Sequence, residues 1–208
     1  MRVIIGLTGP IGCGKSTIAA RLEEHGGHVI DADALARRVT ASGQPTLPAI
    51  RARFGDEVFD DDGALDRAAL ASIVFDDPVA LRDLEAIVHP AVRLEVEASL
   101  ASADAQSARF AVIEAIRLIE GGLAARCDEI WLVACDRPTQ RDRLRRRGME
   151  ADDAERRIAA QADISERLAP VATRIIRTDG PLEAVLAATD EALRLALDEA
   201  SGPGQGMG

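Results

Sequence analysis

Residues 9–16, Gly-Pro-Ile-Gly-Cys-Gly-Lys-Ser, have the spacing G-x-x-x-x-G-K-[ST]. An apolar run precedes them and a helical pattern starts at the lysine, the context in which this spacing makes a phosphate-binding loop. Glycine lets the chain curl so that successive N–H groups face an anion, and the start of a helix adds its positive end. Gly12, Cys13, Gly14 and Lys15 would line that cradle. Ser16 could place its hydroxyl on a magnesium ion, and Thr17 could bond an α-phosphate. Lys15 would reach between β- and γ-phosphates. It is the only lysine among 25 basic residues. A compact ammonium on a flexible stem fits a tight backbone ring, whereas a planar guanidinium needs more room and imposes a fork. With no second lysine, an N-K-x-D guanine motif is excluded.

A phosphotransferase must also position an acceptor hydroxyl and help remove its proton. Asp33, at the end of the apolar stretch "HVIDAD", is the candidate base; a helix N-cap is the alternative for it. Asp31 would share its side if the strand ran on. Glu114, ending another apolar run, could hold a magnesium-bound water, and Glu120 is a weaker candidate. Residues 141–161 carry seven arginines around Gly148. Arg143 and Arg147 stand one helical turn apart, with Arg156 and Arg157 after the turn. They read either as a lid closing over a nucleotide or as a solvated surface with ion pairs. Cys13 is a small filler among the phosphate-facing residues. As a thiol near a helix start it could also ionise, and its oxidation would then block the nucleotide.

These groups need a frame. Residues 3–8, 28–33, 109–116, 129–135 and 173–178 read as strands, and helical patterns separate them. That alternation predicts a parallel sheet covered on both faces. The core would comprise 1–33 and 109–199, with a lid at 138–162. Between them, 34–108 reads as an all-helical insertion suited to a second substrate. Within it Asp77 caps a helix that starts at Pro78, and Leu81, Leu84 and Val88 form its stripe. Pro90 should break that helix at His89. "DDDG" at 60–63 reads as a turn, and 200–208 as a disordered tail.

Composition agrees. The 208 residues are 47% apolar but only 2% aromatic, which favours a helix-rich α/β protein. A net charge of −10 disfavours a general nucleic-acid binder without excluding a local basic pocket. The apolar start is too short for a signal peptide, and no run is long enough for a membrane span. Cys13, Cys127 and Cys135 lack metal-ligand spacing and read as free thiols of a cytoplasmic protein.

The segments "GLTGPIGCGKST", "VIDADALAR", "DGALDRAALASIVF", "LEAIVHPAV" and "RIAAQ" together resemble the dephospho-coenzyme A kinase family over nearly the whole chain. The resemblance implies a phosphate-loop NTPase-type core with a five-stranded parallel sheet, a helical acceptor-binding insertion and a lid. It implies magnesium-dependent transfer from ATP to the ribose 3′-hydroxyl of dephospho-CoA, the last step of coenzyme A synthesis. Asp33 becomes the acceptor-side base, with Arg37 and His89 in the acceptor site. Arg143, Arg147 and Arg157 fall on the lid and nucleotide side, with Gln161 in its flank. The chain would be a monomer or weak homo-oligomer. Two places depart from the family pattern: "AIRLIEGG" replaces a P-L-L-F-E-like run, and "ATRIIRTDG" replaces A-D-x-V-I-x-N. Another nucleoside-monophosphate-type kinase and a nucleotide-dependent binding module are the alternatives.

Overall fold

The computed structural model describes residues 3–105 and 108–201. Its strands are β1 (Val3–Thr8), β2 (His28–Asp31), β3 (Phe110–Glu114), β4 (Glu129–Ala134) and β5 (Arg174–Arg177). Its helices are α1 (Lys15–Glu24), α2 (Ala32–Val39), α3 (Leu47–Phe54), α4 (Arg67–Asp76), α5 (Pro78–Ala105), α6 (Arg137–Arg146), α7 (Ala151–Ala159), α8 (Ile164–Leu168) and α9 (Leu182–Ala200). The strands form one five-stranded parallel sheet in the order β2-β3-β1-β4-β5. The chain divides into two compact units, residues 1–30 with 103–208, and residues 31–102.

In the first unit the central strands are buried almost throughout, as expected for a parallel sheet covered on both faces. On one face Ile5, Leu7, Val112, Trp131 and Val133 pack with Ile18 and Leu22 of α1 and Val185 and Leu193 of α9. On the other, Leu132 packs with Ile164 and Leu168 of α8, and Ile116 joins them. A Cβ on Gly6 would lie 2.8 Å from Cys127 Sγ and 2.6 Å from Leu118, so β1 tolerates no side chain there. Burial pushes Cys127 up to about 12, which leaves it an inert thiol.

Among the described residues of this unit, no buried side-chain polar atom lacks a hydrogen-bond partner. Arg174 donates twice to the buried Glu129 carboxylate, at 2.7 and 2.7 Å, and the Trp131 indole N–H donates to it as well. Burial pushes Glu129 up, but the Arg174 fork, the Trp131 indole and Thr173 together outweigh it and hold the group below its ordinary value. On the surface, Arg21 of α1 grips Asp190 of α9 through Nε and Nη2 at 2.8 and 2.7 Å, and His25 Nε2 lies 2.9 Å from the same carboxylate.

The second unit is helical, with one isolated bridge between Phe59 and Leu65 around the Asp60–Gly63 turn. Asp66 caps α4 by accepting from the amides of Ala68 and Ala69 at 2.9 and 3.0 Å. Arg67 then reaches the C-terminal end of α2, donating to the carbonyls of Arg37 and Thr40 at 2.8 and 3.3 Å. Ion pairs join Arg38 to Glu95 and Arg53 to Asp83.

Four expectations need correction. The second strand ends at Asp31 rather than continuing to residue 33, so Asp31 and Asp33 do not share a strand face. Asp31 is the helix cap, accepting from the Ala34 amide at 2.8 Å, and Asp33 lies in the first turn of α2. Helix α5 does start at Pro78 with Asp77 accepting from Val79 at 2.7 Å, but it runs unbroken through Pro90. The loss of one backbone bond at a helical proline costs about 3 kcal/mol. The buried stripe of Val88, Val92, Val96 and Leu100 continues across it and offsets that cost. Ala200 is the last residue of α9, and Ser201 caps it, its amide donating to the carbonyls of Leu197 and Asp198; residues 202–208 of the expected tail lie outside the described residues. Finally, Cys13 and Cys135 form a disulfide, with Cα atoms 5.2 Å apart. Parallel pairing of β1 with β4 brings the segments after both strands together, which close-spacing rules cannot see across 122 residues.

The α1–α9 clamp is testable by pH. The Arg21 fork, with help from His25, draws Asp190 down to about 2. A carboxylate whose folded pKa lies below its unfolded value of about 4 stabilises the fold above that value and loses the effect as pH falls. Asp190→Asn should therefore melt below wild type at neutral pH, and the gap should close as pH drops from about 4 to about 2. Thermal unfolding across that range measures it; a gap independent of pH would mean the clamp is not ionic.

Candidate active site

The loop from Gly9 to Gly14 connects β1 to α1. Gly9, Gly12 and Gly14 have φ of 146°, 78° and 88°, left-handed values that other residues avoid. Gly9 is also sterically required, because a Cβ there would meet the Val133 carbonyl oxygen at 2.1 Å.

Every carbonyl oxygen from residue 9 to residue 13 accepts a hydrogen bond from a side chain. Lys15 Nζ donates to Gly9 O at 2.9 Å and to Pro10 O at 3.4 Å. Gln140 Nε2 donates to Ile11 O at 2.8 Å. Arg143 Nη1 donates to Gly12 O at 3.3 Å, and Thr178 Oγ1 donates to Cys13 O at 2.6 Å. The Ile11 amide donates in turn to Gln161 Oε1 at 2.7 Å. A loop whose negative dipole ends are engaged by its own scaffold can offer the opposite ends of its peptides to an anion.

Arg143 does more than touch Gly12. Its Nη1 donates to Thr178 Oγ1 at 2.9 Å and its Nη2 to Thr178 O at 2.6 Å, which joins α6 to the segment after β5. Gly14, Thr17, Arg143, Arg146, Arg147, Thr178, Gly180 and Leu182 line a cleft of about 340 Å³ beside the loop. Two of the arginines expected on the nucleotide side thus stand at the cleft, and Arg146 joins them. Ser16 and Thr17 are exposed at the start of α1, whereas Lys15 is buried.

Other predicted residues lie elsewhere. Arg157 pairs with Asp153 on its own helix at 3.0 Å, and Arg156 reaches the same carboxylate at 3.5 Å. These two match the surface ion-pair alternative in this conformation. Glu114 ends β3, in register with Leu7 of β1, and is half-buried. Glu120 is held by Arg167 at 2.7 Å. In the helical unit, half-buried Asp33 and exposed Arg37 lie four residues apart on α2, and half-buried His89 lies midway along α5.

Gln140 and Thr178 hold the loop although nothing in their spacing singled them out. Thr178 occupies the asparagine position of the A-D-x-V-I-x-N pattern, so the departure there has a local account. At the other departure, Ile116 packs into the α8 cluster, and its carbonyl accepts from Thr8 Oγ1 at 3.3 Å.

No group of three or more His, Cys, Asp or Glu among the described residues could by itself hold a metal ion. None of the described helices is long and apolar enough to cross a membrane.

The sequence matches the profile of the dephospho-CoA kinase family over residues 3–183. A dephospho-CoA kinase from Symbiobacterium thermophilum is 44% identical over 194 residues, which is 93% of this chain and 81% of the relative. One from Anaeromyxobacter dehalogenans is 45% identical over 191 residues, covering 91% and 90%. Among solved structures, a Thermus thermophilus protein at 35% identity has a TM-score of 0.78 over 93% of this chain and 97% of that one. The fold is shared at lower identity by a Campylobacter jejuni dephospho-CoA kinase, at 22% with a TM-score of 0.66 over 93% and 96% of the two chains. A phosphate loop of this geometry, in a chain matched to one profile from its first strand to its last helix, has one reading: the chain belongs to the dephospho-CoA kinase family.

Proposed function

We propose that the protein transfers the γ-phosphoryl group of ATP to the ribose 3′-hydroxyl of dephospho-CoA, giving coenzyme A and ADP. The observation that carries this reading is the Gly9–Ser16 loop with its carbonyls engaged by side chains, in a chain of this family.

Gly12, Cys13, Gly14, Lys15, Ser16 and Thr17 hold the phosphates. Lys15 rests on the Gly9 and Pro10 carbonyls and exchanges them for β- and γ-phosphate oxygens when nucleotide enters. Arg143 and Arg147 face the nucleotide from the cleft, and Arg157 joins when α6 and α7 act as a lid. Asp33 takes the proton of the 3′-hydroxyl as its oxygen bonds to the γ-phosphorus and the bond to the β-bridging oxygen breaks. Arg37, one turn along α2 from Asp33, and His89 position the acceptor.

The donor set fits magnesium shared with a substrate. An ion held by few protein groups takes its remaining ligands from phosphate oxygens and water. Ser16 Oγ would hold it directly and Glu114 through water, and the ion would neutralise charge on the β- and γ-phosphates. The site of action is the cytoplasm, where ATP is made available to soluble kinases.

Three measurements test this reading. Mass spectrometry of a mixture with dephospho-CoA, ATP and magnesium should show coenzyme A; ATP consumption with a nucleoside monophosphate but not with dephospho-CoA would overturn the assignment. Lys15→Arg should lose transfer by about 100-fold or more despite conserving charge, because the ring around residue 15 rejects a fork. Asp33→Asn should bind ADP within about twofold of wild type while kcat falls by about 10²–10⁴, the usual scale for a lost general base. Near-normal turnover in Asp33→Asn would remove it from the catalytic list.

A further inference from the structure

Ile11 is fastened to the arginine-bearing helices through all three of its groups. Its side chain packs against the cluster of Leu144, Ala154 and Ile158, with Met149 beside it. Its carbonyl accepts from Gln140 of α6, and its amide donates to Gln161, two residues beyond the end of α7. Gln140 is itself buried, and Gln161 half-buried.

The peptide unit is planar and trans, so its N–H and C=O point in opposite directions. That makes each glutamine act on the neighbouring residue too. Gln140, by fixing the Ile11 carbonyl, aims the N–H of Gly12 the opposite way. Gln161, by fixing the Ile11 amide, aims the Pro10 carbonyl the opposite way, and that carbonyl accepts from Lys15 Nζ at 3.4 Å. Gly12, with φ of 78°, has little steric resistance of its own to a peptide rotation.

We propose that Gln140 and Gln161 are positioning residues for nucleotide binding: they set the direction of the Gly12 amide and the resting acceptor of Lys15, and so couple the seating of α6 and α7 to the affinity of the phosphate loop. The proposal rests on the nucleotide-binding part of the functional reading but not on the identity of the acceptor. Their chemical roles are opposite. Gln140 must donate, because its partner is a carbonyl; Gln161 must accept, because its partner is an amide. A carboxylate can replace the second and cannot replace the first.

That asymmetry gives the test. ADP affinity is measured by calorimetry on full-length wild type and on Gln140→Met, Gln140→Glu, Gln161→Met and Gln161→Glu, with thermal melts alongside. The Met variants keep volume and lose the hydrogen bond, and ADP should bind about three- to tenfold more weakly, the scale of one hydrogen bond. Gln161→Glu should stay closer to wild type than Gln161→Met, whereas Gln140→Glu should bind at least as weakly as Gln140→Met. In steady state the KM for ATP should rise while the KM for dephospho-CoA stays within about twofold, on the same hydrogen-bond scale. Met variants that bind ADP like wild type, or two Glu variants that behave alike, would overturn the proposal, as would equal rises in both KM values with a matching loss of melting temperature. Wild type that binds ADP but forms no coenzyme A would sink the functional reading and leave this one standing.

Discussion

A loop that grips a polyphosphate has to keep its carbonyl oxygens away from the ligand. Backbone carries one donor and one acceptor per residue, so amides cannot be presented to an anion unless the matching acceptors find partners elsewhere. Here the partners are Lys15, Gln140, Arg143 and Thr178, acting on five consecutive carbonyls. They come from three separate places in the chain: the start of α1, helix α6 and the end of β5. The sheet order β1-β4-β5 brings those places to one neighbourhood. The core and the site are therefore one problem. The Glu129–Arg174 pair and the Trp131 packing fix β4 against β5, and the residues just past those two strands supply the loop with the Thr178 hydroxyl and the Cys135 sulfur.

Arginine and lysine divide the work by shape. Arg143 uses its fork to span Gly12, the Thr178 hydroxyl and the Thr178 carbonyl at once, which an ammonium could not do. Lys15, by contrast, places one compact ammonium within reach of the Gly9 and Pro10 carbonyls. In the helical unit Arg67 plays the spanning part again, bridging two carbonyls at the end of α2. The D-G-x-L-D-R element is thus a cap and a latch: Asp66 starts α4, and Arg67 ties it to the helix that carries Asp33.

What the sequence made legible was what local pattern encodes. Strand β1, the glycine loop, helix α1 and the later strands arise from apolar runs and turn residues, and their limits fall within two residues of expectation, with β1 matching at both ends. Asp33 lies in the first turn of α2 rather than on a strand because Asp31 takes the capping role and ends β2 two residues before it. Helix α5 does not break at Pro90 because the proline's cost is local while the stripe from Val88 to Leu100 is buried on both sides of it. The cysteine pair, Gln140 and Thr178 were illegible for a common reason. Their partners lie 122, 129 and 165 residues away, and a polar residue at an ordinary spacing carries no mark of such a distance.

The chain's single ε-amine has a further use. A protease specific for lysine has only the Lys15–Ser16 bond to cut, and that bond begins α1 with the lysine side chain 8% exposed. Cleavage then requires the loop and the first turn of the helix to open together, and its rate reports how often they do so. A molecule with one scissile bond at the heart of its cradle carries its own built-in gauge of local breathing.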